Sequence, residues 1–366
     1  MKIRLYFAGV SEFWGSYAGP IAGFNRFNQG RPWQPLIAGG YILRILFLIF
    51  LALPVYAGAE ARTKATAVST AAAEAPLRTL SGHSAAVEVV DFSPDGQYLA
   101  SSGLDTNVVL WDLKTGKVKK VIVGHTEAVW GLDFSPDGDY LASLGNQTIE
   151  IWKVPSGKNF KSIQGQSFSM YGVKFSPNGD YVATGGYGSV GAWSFPDGNQ
   201  YRTLKAEVEN VYSLAVGPNG NYITTGNGDG SLVVWNVAEG KMVKSITAHK
   251  QAVRAVALSS DGIYAASASM DGALKVWRLS DGAMVSAYNA HTGGARAVAI
   301  SPDNKYMASG GMDNTVRLWP LLGKVKRPVK EYFGHTGSVE TLAFSPDGKT
   351  LASGSKDSTV KLWKVP

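Results

Sequence analysis

GHSAAVEVVDFSPDGQYLASSGLDTNVVLWD, residues 82–112, opens on Gly82-His83 and closes on Trp111-Asp112, the tryptophan standing 28 residues past the histidine. Between them lie three apolar runs, Val87 to Phe92, Tyr98 to Ala100 and Val108 to Trp111, separated by turns such as Ser93-Pro94-Asp95-Gly96. Short β-branched and aromatic runs bounded by turn residues form antiparallel strands. One small sheet of this kind cannot bury both of its faces, so the stretch needs neighbours of its own kind.

The neighbours are present. Tryptophans recur at 111, 152, 193, 235, 277, 319 and 363, separated by 41, 41, 42, 42, 42 and 44 residues. Upstream of each by 27 or 28 residues lies a dipeptide: Gly82-His83, Gly124-His125, Gly165-Gln166, Ala206-Glu207, Ala248-His249, Ala290-His291 or Gly334-His335. FSPDG turns begin at Phe92, Phe134 and Phe344, with variants at Phe175 and Val216. Seven copies of one period define a single repeat architecture rather than the two domains that a length of 366 residues suggests by itself. The last copy stops on its third strand at Lys361-Leu362-Trp363, and Leu77 to Leu80 stands ready ahead of the first Gly-His to supply the fourth. That pairing removes the exposed edges of an open stack.

These spacings resemble the WD-repeat (beta-transducin-like) β-propeller family over residues 77–366. The resemblance implies an all-β, seven-bladed propeller of four-stranded antiparallel blades, closed by strand 77–80 joining the last blade. It also implies a buried hydrogen-bonded chain in each blade, running through a His, a Ser or Thr on the second strand, an Asp in the following turn, and the Trp. Complete sets are His83, Ser101, Asp105, Trp111; His249, Ser267, Asp271, Trp277; His291, Ser309, Asp313, Trp319; and His335, Ser353, Asp357, Trp363. A buried imidazole and indole N–H each need a partner, and a carboxylate fixed in a turn serves the imidazole and the turn amides together. Blade 2 has Asn146 at the Asp position, blade 3 has Gln166 and Tyr187, and blade 4 has Glu207 with Asp229. Blades 2 to 4 are therefore expected to hold the ring less firmly. Only Trp111-Asp112 carries the namesake dipeptide.

Little is left over for chemistry. All five histidines occupy the repeat signature, so none is spare for a catalytic triad, a general base or a metal cluster. Cysteine is absent, which excludes disulfides, thiolate catalysis and Cys-ligated zinc. The aspartates of the SPDG turns stand where a turn uses its side chain to bond local backbone. Gly185-Gly186-Tyr187-Gly188 is read as a turn, since no helix or Lys-Ser/Thr follows to make a phosphate loop. The sequon Asn146-Gln147-Thr148 falls in a tight turn. No cofactor and no metal are expected. The net charge of +7 shrinks beyond residue 76 to 28 Lys/Arg against 25 Asp/Glu, or +3, which gives no nucleic-acid footprint.

One column does vary. Four and seven residues past the signature position, the copies carry core residues such as Val87 and Val90; five past, they carry Glu88, Trp130, Tyr171, Tyr212, Arg254, Arg296 and Glu340. Three aromatics, two arginines and two glutamates thus follow one another round the ring. In resembling proteins this position points to the top rim of the central channel, a frequent partner-binding surface, with the residue before the turn Asp nearby: Leu104, Met270, Met312 and Lys356. Aromatic and Arg side chains dominate binding hot spots. Against that, the aromatics could plug the channel mouth or pack between weak blades, and Arg254 and Arg296 could be solvated or paired with Glu340.

Ahead of the repeats, Arg44 precedes the apolar run ILFLIFLALPV, 45–55, which small residues follow at Ala57-Gly58-Ala59. Residues 1–59 read as an export signal or anchor region and 60–76 as a flexible Ala/Thr-rich linker. The expected protein is exported, periplasmic or secreted, or else tethered to a membrane through 41–55; it is cytoplasmic if the segment is no true signal. The expected function is a non-catalytic protein-interaction scaffold, a monomeric platform within a complex, binding a protein or peptide partner through its top face. Two other classes stand beside it: an accessory propeller for a small ligand or electron transfer, and a propeller enzyme. The enzyme would need a polar cluster in the channel that the repeat does not explain, and none is read from the sequence.

Overall fold

The computed structural model describes residues 74–145, 147–165, 170–323 and 327–366, with backbone alone for 206–209. The chain divides into two units, Met1–Thr66 and Ala67–Pro366, of which only the second contains described residues. The apolar run 45–55, the linker as far as 73, Asn146 of the sequon, Gln166 and the Glu207 side chain lie outside the described residues.

Every regular element among the described residues is a strand. Blade 1 shows the plan: Val87–Phe92, Tyr98–Gly103, Val108–Asp112 and Lys117–Ile122 pair in that order, antiparallel throughout. The turns between the first two strands are built as the SPDG sequence requires. Asp95 Oδ1 accepts from Ser93 Oγ at 2.6 Å and from the Gln97 N–H at 2.9 Å, and Asp137, Asp261, Asp303 and Asp347 repeat the arrangement. Those aspartates are thereby committed to local structure. Gly96, with φ of 69°, takes the left-handed position that closes the turn.

The core is not central but divided among the seams. Seven hydrophobic clusters occur, and each draws from two adjacent blades. The cluster between blades 7 and 1 contains Leu80, Val360 and Leu362 with Val87 and Trp111, so the seams form an unbroken cycle. Arg78–Ser81 is the fourth strand of blade 7, pairing with Thr359–Lys364, and the expected closing strand therefore sits one residue further along than 77–80.

Four complete polar chains are present. His83 Nδ1 lies 2.9 Å from Asp105 Oδ2 and its Nε2 2.7 Å from Ser101 Oγ, which also accepts from Trp111 Nε1 at 2.7 Å. His249, His291 and His335 repeat this with Ser267, Ser309 and Ser353, with Asp271, Asp313 and Asp357, and with Trp277, Trp319 and Trp363. Burial lowers the pKa of His249 and His335, against the opposing pull of Asp271 and Asp357. Both ring nitrogens are spent in each case. Ser267→Ala removes one oxygen that serves two buried groups, and is expected to cost about 2–3 kcal/mol in a urea unfolding titration; no loss would mean the chain carries no stability.

The degraded blades keep more of this than their missing Asp and His suggest. In blade 2, Ser143 still joins His125 at 2.6 Å and Trp152 at 2.7 Å; in blade 4, Thr225 accepts from Trp235 at 3.2 Å. Blades 3 and 4 differ in a second way. Strand Gln200–Val216 runs without a break from the outer edge of blade 3 into the innermost strand of blade 4, making one six-stranded sheet. The Gly-His or Ala-His that stands at this point in five other blades is replaced here by Ala206-Glu207. The expected Gly185–Gly188 turn needs correcting: Gly185 and Gly186 are strand residues paired with Gly172 and Met170, and the left-handed residue is Gly188, at φ 66°.

A circumferential clamp also escaped the sequence reading. On the outer strands of six blades, Arg78, Lys120, Lys161, Arg202, Lys244 and Lys330 occupy one register position, opposite the residue before the tryptophan; blade 5 has Ser286 there. Four of them reach carbonyl oxygens of the next blade: Arg78 to Leu113, Arg202 to Ala238, Lys244 to Leu279 and Ser280, and Lys330 to Lys364. In these four seams a carbonyl at or just past a strand end receives a cationic donor from its neighbour.

Candidate functional site

The seven residues of the variable column come together at one mouth of the channel, and the backbone explains how. The register slips between Val87 and Val89, Met170 and Gly172, Val211 and Ser213, Val253 and Ala255, Ala295 and Ala297, and Val339 and Thr341. The residues skipped are Glu88, Tyr171, Tyr212, Arg254, Arg296 and Glu340. A bulged residue leaves the ladder and its side chain is re-aimed, so six blades turn this one position out of the sheet. In blade 2 the strand begins at Gly131, immediately after Trp130, whose N–H bonds the Leu144 carbonyl at 2.8 Å. All seven side chains are half-buried and line a channel of about 470 Å³.

Six of them form a contact series broken once, between Arg254 and Arg296. Trp130 and Tyr171 meet edge to face at 6.4 Å between ring centroids, Tyr171 and Tyr212 at 5.2 Å, and the Arg254 guanidinium lies over the Tyr212 ring at 4.3 Å. Arg296 Nη1 stands 3.8 Å from Glu340 Oε2, and Lys356 Nζ 3.7 Å from Glu340 Oε1. The expected pairing of the arginines with Glu340 therefore holds for Arg296, whereas Arg254 takes an aromatic face. Neither Arg296 Nε nor Glu340 Oε1 has a hydrogen-bond partner among the described residues. Burial, then the charge of Glu340, raises the pKa of Glu88, while Lys356, Arg254 and Arg296 oppose the rise. Burial and then Arg296 lower that of Arg254.

Of the neighbouring positions, Met270 is half-buried and Met312 is exposed, and their sulfurs converge on Gly294, each at 3.4 Å from where a Cβ there would stand. Leu104 and Lys356 are exposed. Met270 and Met312 thus form a thioether step beside Arg254 and Arg296 in chain order.

The channel wall holds a polar cluster that the sequence reading did not find. Asp91, Asp133 and Lys174 stand at one register position in blades 1 to 3, where the other four blades have Ala215, Ala257, Ala299 and Ala343. Lys174 Nζ pairs with Asp133 Oδ1; Asp133 Oδ2 accepts the Phe175 N–H at 2.7 Å and Asp91 Oδ2 the Phe134 N–H at 3.0 Å. The carboxylates therefore stitch blade 1 to 2 and 2 to 3, as Ser213 and Thr341 do by accepting the Val256 and Val90 N–H groups. Two acids share one lysine, and burial raises the Asp91 pKa to about 7. Its folded pKa lies above its ordinary 3.8, so the native state holds a proton that the unfolded chain releases, and stability falls as pH climbs between those values. Asp91→Asn keeps an acceptor for Phe134. The Tm of this variant minus that of the wild type is expected to grow by a few degrees from pH 5 to pH 8; a constant difference would mean Asp91 does not titrate there. Among the described residues, no group of three or more His, Asp or Glu is arranged to hold a metal ion.

A closed ring of seven four-stranded blades with a serine-centred polar chain in most of them defines a repeat propeller. The chain belongs to the WD-repeat family: the family model described as "WD domain, G-beta repeat" matches at 74–112, 116–153, 157–194, 198–236, 240–278, 282–320 and 326–364. Propellers of this family generally serve as scaffolds that bind protein partners. Stretches about one repeat long are similar to parts of three proteins, of which the second and third are longer than this chain. Protein Mut11 of Chlamydomonas reinhardtii is 60% identical over 37 residues, 10% of either chain. The Notchless protein homolog of Arabidopsis thaliana is 58% identical over 38 residues, 10% of this chain and 8% of that protein. Protein HIR1 of Kluyveromyces lactis is 49% identical over 41 residues, 11% and 5% respectively. The match spans a tenth or less of each relative's length.

Proposed function

We propose that this propeller is a non-catalytic, exported platform that engages a protein or peptide partner through the channel mouth formed by Trp130, Tyr171, Tyr212, Arg254, Arg296, Glu88 and Glu340. The observation that carries the proposal is the bulge. Six blades spend a ladder hydrogen bond to present a column of varied chemistry, and that column holds residues of hot-spot type. The histidines are consumed by the polar chains, and Asp91, Asp133 and Lys174 by one another and by neighbouring backbone.

The test is affinity capture with the full chain, followed by quantitative mass spectrometry, wild type against Trp130→Ala/Tyr171→Ala/Arg254→Ala. Partners retained by the wild type are expected to be absent from the folded variant; equal capture by both would remove the mouth from the account. The export part of the proposal rests on Arg44 and the apolar run 45–55. N-terminal sequencing should find a start just past Ala59, and a start at Met1 would sink the cleaved signal.

A further inference from the structure

The two arginines of the mouth are unequally satisfied. Arg296 has Glu340, and Glu340 is shared with Lys356. The Arg254 guanidinium lies over the Tyr212 ring at 4.3 Å, yet among the described residues no carboxylate lies within 4.0 Å of it and no hydrogen bond is made by its guanidinium. A guanidinium carries five N–H donors in a planar fork suited to a carboxylate, and stacking on an aromatic ring fixes the plane while leaving the edge available. Arg254 and Arg296 sit at the same bulge on consecutive blades and feel each other's charge. Of the two rim acids, Glu340 is already engaged, and the charged form of Glu88 is disfavoured by burial. The mouth is thus short of one accessible anion on its arginine side. Beyond Tyr212, the half-buried Tyr171 and Trp130 rings continue as an apolar shelf.

Resting on the proposed function, we infer that the mouth recognises an internal acidic–aromatic segment of a partner protein: an Asp or Glu side chain on the Arg254/Arg296 pair, with a large apolar side chain a few residues away on the Trp130–Tyr171 shelf. The carboxylate supplies the direct ion-pair partner that Arg254 lacks among the described residues, where Glu340 and Glu88 act on it only from a distance. The apolar neighbour excludes water from the new ion pair, which strengthens it. Binding should weaken with salt, because part of its strength is charge complementarity at a half-exposed site.

The test is selection from a phage-displayed random 12-residue peptide library against the full chain. The displayed peptides are fused through their C-termini, so their acidity comes from side chains, and the selected peptides are then synthesised and titrated. The expected result is enrichment of sequences pairing Asp or Glu with Trp, Tyr, Phe or Leu within three residues. Arg254→Gln should weaken a selected peptide by at least about tenfold, and replacing the peptide's acid by its amide should cost nothing further in that variant. Arg254→Lys, which keeps the charge without the fork, should fall between the two. Both variants are checked for an unchanged melting temperature, and a selected peptide that Trp130→Ala alone weakens by a similar factor reports the shelf independently. Enrichment of neutral or basic peptides that still require Trp130 would overturn the inference while leaving the mouth as a binding site. Peptides that bind wild type and the triple rim variant equally would overturn both.

Discussion

Leu80→Asp is expected to melt roughly 6–15 °C below the wild type, corresponding to a loss of ~3–5 kcal/mol. Leu80 is 2% exposed and sits in the cluster that joins Val360 and Leu362 of blade 7 to Val87 and Trp111 of blade 1. Its strand contributes four register pairs to the last blade, and Arg78 from the same strand reaches the Leu113 carbonyl of blade 1. A charge at position 80 therefore damages one blade and one seam together. In a ring every seam supports the others, so the loss should appear as a lowered global transition by circular dichroism and not as local fraying. If the variant melted with the wild type, the closing strand would be dispensable and the seven seams would not act as a cycle.

The second large effect concerns recognition and leaves stability nearly alone. Trp130→Ala combined with Arg254→Gln is expected to weaken partner binding by about 100-fold or more, since two hot-spot side chains are each worth ~2 kcal/mol or above. Neither residue belongs to a seam cluster or to a polar chain; both are half-buried. Trp130 contacts Tyr171, and Arg254 contacts Tyr212, so the folding cost should be within about 1 kcal/mol. Were the rim aromatics present chiefly to brace weak blades, the ranking would invert: the double variant would melt well below the wild type and bind the partner unchanged. Differential scanning calorimetry beside a binding titration separates the two outcomes.

What could be read in advance follows from where the information lies. The ring was legible because a tryptophan marks every copy and a Gly-His or Ala-His dipeptide five of the seven, and because the polar chain ties residues of fixed identity at fixed separations. Closure was legible from a last copy one strand short and a strand left over before the first. The bulges were not, since a bulge is a relation between two strands and leaves no residue signature at Glu88 or Tyr212. The clamp of Arg78, Lys244 and their counterparts was missed because its acceptors are main-chain carbonyls, which sequence does not distinguish. Asp91, Asp133 and Lys174 were hidden within an inner strand whose other copies carry alanine there; comparing that column across blades would have exposed them. The continuous strand Gln200–Val216 has a plain cause in hindsight, as no Gly-His interrupts the ladder at Ala206-Glu207.

The central claim is that this propeller meets its partner at the bulged mouth of the channel. Site-specific photo-cross-linking in the producing cells tests it most directly, with the reactive residue placed at Met312 or Lys356 beside the mouth, or at Lys349 beside the Asp347 turn. Cross-links to a discrete partner are expected from Met312 and Lys356, lost when Trp130→Ala and Arg254→Gln are added, and absent from Lys349. Cross-links from Lys349 alone, or cross-links at Met312 and Lys356 that survive the rim substitutions, would contradict it.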